Sequence, residues 1–118
     1  STAGVHIAKV LNELGIREKV ESRLKIYPNG ATAMRHLAES PAKHPLGCTQ
    51  ATEIISTPGV ILSDTLPPGY ELATMYTAAV TTQAARPREA RTLIDLLVAA
   101  NRRELRYRVG FVESTEER

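Results

Sequence analysis

The sequence has no tryptophan, one phenylalanine and four tyrosines among its 118 residues. So sparse an aromatic set excludes the stacking platforms on which single-stranded nucleic acids are laid. It also argues against a carbohydrate-stacking groove. A single cysteine, Cys48, rules out an internal disulfide framework. It leaves secretion open, since exported domains without disulfides are common. Neither sign of charge dominates: fifteen Lys and Arg against thirteen Asp and Glu leave +2, too even for a strong nucleic-acid field. No apolar run approaches the ~18 residues of a membrane helix, and no stretch reads as a signal peptide. Catalytic signatures are missing too. There is neither a Gly-rich dinucleotide fingerprint nor a phosphate loop with its lysine. His6, His36 and His44 share no metal-ligand spacing with one another or with Cys48. The reading is of a protein without metal, cofactor or catalytic residues.

What is present is ordinary globular material, 42% hydrophobic and 24% charged, of a length that sets one compact domain as the starting expectation. Ile7, Val10, Leu11 and Leu14 recur at helical spacing, so residues 1–14 read as a helix capped by Ser1 or Thr2 and stopped at Gly15. Residues 17–21 read as a turn or a single helical turn. Asn29-Gly30 opens a second helix with Ala33, Met34, Leu37 and Ala38 on its inner face, stopped by Ser40-Pro41. Residues 50–55 read as a loop or a one-turn helix. Pro87 suits the first position of a long helix whose stripe is Ala90, Leu93, Ile94, Leu97 and Ala100. Asn101 caps a last helix carrying Leu105 and Val109, with Gly110 as its stop and Phe111 packing back. Between these, Leu24–Ile26, Leu46–Thr49, Val60–Leu62 and Met75–Val80 have the composition of short strands. Strands alternating with helices predict an α/β fold, a three-layer open sheet flanked by helices.

Individual polar residues carry little chemistry on their own. Cys48, inside an apolar run, reads as a small core residue, with a nucleophile as the competing reading. Glu53 and Asp64 read as surface or hinge groups rather than an acid–base pair. Arg102, Arg103, Arg106 and Arg108, interrupted by Glu104, read as a solvated helix end. Tyr70 and Tyr76 read as core or hinge packing, with a cleft lining as the alternative. More informative is the placement of small or neutral polar residues at helix starts and strand ends: Ser1-Thr2-Ala3-Gly4, Asn29-Gly30-Ala31-Thr32 and Thr49-Gln50. In open α/β sheets ligands sit at the carboxyl ends of strands, where free amides at helix starts bind anions without a formal positive charge. The same residues also read simply as helix caps.

In order and spacing these segments resemble the periplasmic molybdate-binding-like (type II) solute receptors of ABC transporters. The resemblance rests on Leu46-Gly47-Cys48-Thr49-Gln50-Ala51-Thr52-Glu53-Ile54-Ile55, then Pro58-Gly59-Val60, then Leu66-Pro67-Pro68. Tyr76–Val80, Arg86–Ala90, Leu93–Leu97 and Gly110-Phe111 fit the C-terminal ending of that family, and Ser1-Thr2-Ala3-Gly4 fits the helix that opens its second lobe.

The resemblance implies a periplasmic receptor that catalyses nothing. It would hold a small oxyanion between two lobes and hand it to the membrane permease of an ABC transporter, with no nucleic-acid partner. Matched residue by residue, Ser1, Thr2 and Ala3, then Gly30 or Ala31, would offer helix amides. Gln50 would stand where a tyrosine hydroxyl reaches the anion in well-known members. Gln accepts as well as donates, a departure that unsettles molybdate as the ligand. The implied layout is a second-lobe ligand-binding segment over residues 1–71, a hinge strand and C-terminal helices over 72–112, and a charged tail over 113–118. The first lobe and one central strand would precede Ser1, so the expectation is a fragment that self-associates as a homo-oligomer through strand or helix exchange. The same architecture also implies an alternative, the cytoplasmic effector-sensing domain of a bacterial transcription regulator.

Overall fold

Helices form where the periodicity places them, and they set the architecture. The computed structural model describes residues 1–113. Helix α1 (Thr2–Glu13) is capped by Ser1, whose Oγ accepts from the Gly4 amide at 3.2 Å. It ends at Gly15, whose φ of 66° is open to glycine at little cost. Helix α2 (Arg17–Val20) runs into a 3₁₀ turn over Glu21–Arg23. Helix α3 (Gly30–Ala38) is capped by Asn29, which takes the Thr32 amide at 2.8 Å. Helix α4 (Ala51–Ile55) is little more than a turn. Helix α5 (Pro87–Val98) has Pro87 at its start, as the sequence predicts. After a 3₁₀ turn over Ala100–Arg102 comes α6 (Arg103–Arg108). Past its end Gly110 takes a φ of 100°, and the Phe111 amide returns to the Arg106 carbonyl at 2.9 Å.

Two units divide the chain, Ser1–Leu72 and the part from Ala73 on. In the first, Val10, Met34 and Ile54 are buried, and Met34 at 1% exposure is the best-enclosed large side chain. Helix α3 packs on α4. Gly47 makes room for α3, because a Cβ there would collide with the ends of Met34 and Leu37. Tyr27 stacks on His36 with ring centroids 4.6 Å apart. At the far side the His6 ring meets the Tyr70 carbonyl at 2.5 Å. A carbonyl only accepts, so Nε2 carries the proton and ties α1 to the turn after Pro67-Pro68. In the second unit Tyr76 meets Phe111 edge-on at 5.6 Å. Arg106 there donates to the carbonyls of Leu97 and Ala99, both at 2.9 Å, and Arg103 forks onto Glu113.

The open α/β sheet predicted from the sequence is absent: the described residues hold helices and turns but no strand. Leu24–Ile26, Leu46–Thr49, Val60–Leu62 and Met75–Val80 are free of helix, yet none is joined to another by a ladder. Their residue types favour extended backbone. A strand, however, exists only by hydrogen bonding to a neighbour, and that neighbour is not a local property of the sequence. Three smaller expectations are also corrected. Asn101 lies inside the 3₁₀ turn, and Arg102 stands at the cap of α6 without a side-chain bond. Cys48 is exposed rather than core. The α5 stripe is only partly covered, with Leu93 and Leu97 more than half exposed. Of the charged tail, residues 114–118 lie outside the described residues.

Candidate functional site

Gly30, the first residue of α3, is buried against the opening of α4. The space a Cβ would take at Gly30 already holds the Glu53 Oε2 and Thr49 Oγ1 atoms, so only glycine fits. Thr49 donates its hydroxyl to Glu53 Oε2 at 2.5 Å in a half-buried setting. One turn on, the buried Thr57 hydroxyl donates to the Glu53 carbonyl at 2.7 Å. Glu53 is thus held by its side chain at one end of α4 and by its backbone at the other. The expectation of a surface or hinge group misses this.

The arrangement brings three of the predicted site residues together. Gly30 and Ala31 open α3, and Gln50 stands at the N-cap of α4, one residue after Thr49. Asn29 occupies the Thr32 amide, so the amides of Gly30 and Ala31 are the ones α3 has left to offer a ligand. Ser1, Thr2 and Ala3 occupy the start of α1. There the Ser1 hydroxyl takes the Gly4 amide, leaving the amides of Thr2 and Ala3. Ser1 and Thr2 also line an open hollow of about 470 Å³ with Val5, His6, Lys9 and Leu72. Gly30, Ala31 and Gln50 are not among its walls.

Electrostatically the two groups differ. The α1 start has Lys9 close by in its hollow. The α3 start has the Glu53 carboxylate beside Gly30, a like charge for any anion that settles there. Sequence reasoning singled out Thr49 only as a neighbour of Gln50 and set Glu53 aside. The Thr49-x-x-x-Glu53 spacing, with Thr49 just ahead of α4, carries a signal for their mutual hydrogen bond but none for the contact with Gly30.

Cys48 sits one residue before this cluster, and partial desolvation pushes its thiol above the ordinary range. A thiol so shifted is a poorer nucleophile, which removes support from the competing nucleophile reading. Among the described residues no group of His, Cys, Asp and Glu is placed to hold a metal ion.

Compared with known proteins, the chain matches the family described as bacterial extracellular solute-binding protein over residues 1–112. No curated protein and no solved structure matches it. A match running from Ser1 to beyond α6 includes both helix starts, Gln50 and the Pro-Gly and Pro-Pro turns, and by it the chain belongs to the bacterial extracellular solute-binding protein family.

Proposed function

We propose that this chain is the solute-binding component of an ABC import system, acting in the periplasm and passing its solute to a membrane permease. It catalyses no reaction. The solute is a small oxyanion held by neutral donors: the amides of Thr2 and Ala3, those of Gly30 and Ala31, and the Gln50 side chain. The observation that carries the reading is the family match across residues 1–112. In support, both long helices of the first unit begin with amides that no cap takes up, at positions where small residues let an anion approach.

Calorimetric titration with molybdate, tungstate and sulfate tests the ligand class. Saturable one-to-one binding of at least one of them is expected. The variant Ala31→Pro deletes one donor amide inside the first helical turn, where proline is tolerated, and Gly30 ahead of it has no Cβ to meet the ring. It should weaken binding about tenfold, the effect of losing one charge-assisted hydrogen bond. No saturable heat with any of the three anions, or an affinity indifferent to Ala31→Pro, would overturn the oxyanion reading.

A further inference from the structure

Asn29-Gly30 is the one Asn-Gly pair in the chain; Asn12 is followed by Glu13 and Asn101 by Arg102. Such a pair has a chemistry of its own. A following glycine has no side chain to keep its backbone nitrogen from attacking the asparagine side-chain carbonyl. The fold uses both members. Gly30 is buried where a Cβ would meet the Glu53 carboxylate and the Thr49 hydroxyl. Asn29 is the exposed cap of α3, and its Oδ1 takes the Thr32 amide at 2.8 Å.

The same cap holds the reaction off. Ring closure brings the Asn29 Cβ and the Gly30 nitrogen nearly into eclipse about the Asn29 Cα–C bond. At the ψ of 165° that Asn29 adopts, they are well apart. Turning that bond pulls the Asn29 carbonyl off the Ala33 amide, which donates to it at 3.1 Å. Swinging Cγ toward the Gly30 nitrogen pulls Oδ1 off the Thr32 amide. Two hydrogen bonds of the first turn of α3 must therefore open before the new bond forms.

We propose that Asn29-Gly30 is a self-modification site, latched by the α3 cap and released when the first turn of α3 opens. The Gly30 nitrogen then bonds to Asn29 Cγ and gives up its proton, the Cγ–Nδ2 bond breaks, and ammonia leaves with that proton. Water opens the resulting imide at one of its two C–N bonds. Cleavage at the side-chain carbonyl leaves aspartate, and cleavage at the main-chain carbonyl leaves isoaspartate. No electrons are gained or lost. Either product sets a carboxylate at the head of α3, beside the Gly30 and Ala31 amides, where it competes with a bound anion. That last consequence rests on the oxyanion reading; the modification does not.

Peptide mapping by mass spectrometry of the full chain, aged at mildly alkaline pH with and without guanidinium chloride, is the test. Enzymatic methylation scores the isoaspartate. In the denatured chain Asn29 should convert well ahead of Asn12 and Asn101. In the native chain its conversion should slow about tenfold or more, since only the opened fraction reacts. Conversion at Asn29 no faster than at Asn12 and Asn101 in the denatured chain overturns the site. Equal rates at Asn29 with and without denaturant overturn the latch. Molybdate calorimetry on the aged native chain reads the consequence separately. Affinity should fall about tenfold as Asn29 converts, the effect of one unit charge at short range. Asn29→Ser caps α3 but forms no imide, so aged alike it should keep the affinity it began with. An equal loss in Asn29→Ser overturns the charge effect. A fresh chain that binds no anion overturns the oxyanion reading and leaves the mass result to decide the modification.

Discussion

Gly30 and Glu53 set the local rules of the candidate site. A methyl at Gly30 must displace the Glu53 carboxylate and the Thr49 hydroxyl, and neither is a free-swinging chain end, because each holds the other. Gly30→Ala should therefore destabilise by about 1–3 kcal/mol in urea unfolding, the cost of an overpacked contact, and not stabilise as helical Gly→Ala usually does. Glu53→Gln keeps an acceptor for Thr49 and removes the charge beside Gly30. Under the oxyanion reading it should raise affinity for the dianion molybdate about tenfold and for a monoanion such as perrhenate by about the square root of that, since the Coulomb term scales with ligand charge. Equal effects on both ions would mean that Glu53 acts through shape alone.

At Cys48 the sign is simple. A thiol raised above its ordinary range holds less thiolate at a given pH, so alkylation should lag a free-cysteine peptide and catch up only at more alkaline pH. By linkage, the folded chain keeps this proton longer than the unfolded one. Its contribution to stability is full below the ordinary thiol range and fades as pH rises through the folded value.

Among the elements, the helices were readable in advance, whereas the sheet expected beside them does not form among the described residues. The α1 stripe ending at Gly15, the Asn29 cap of α3 and Pro87 at the head of α5 are local statements, fixed within a turn by backbone and capping chemistry. At 24–26, 46–49, 60–62 and 75–80 the residue types of strands were legible and no strand forms, because β-branched and apolar residues say what a strand would be made of and not what lies beside it. The site divides along the same line. Free amides at helix starts follow from caps, whereas the Thr49–Glu53–Gly30 contact needs α3 and α4 to meet, a long-range event that no spacing announces. Met34 is the test of that meeting. It is almost wholly enclosed where α3 meets Gly47, so Met34→Ala should cost about 2–5 kcal/mol in a denaturant melt.

For the molecule as a whole, the near-neutral charge and sparse aromatics of the sequence fit a receptor that uses backbone amides and needs neither a basic patch nor a stacking groove. Among the described residues, Val10, Met34 and Ile54 are the only buried hydrophobics, and Ile26, Leu46 and Ile61 stand almost bare. The measurement that bears most directly on the central claim is a ¹H–¹⁵N titration of the labelled protein with molybdate. The account predicts saturable shifts concentrated at the amides of Thr2, Ala3, Gly30 and Ala31 and at the Gln50 side-chain NH₂. Shifts confined to cationic surface such as Lys9 or Arg102–Arg108, or none that saturate, would contradict it.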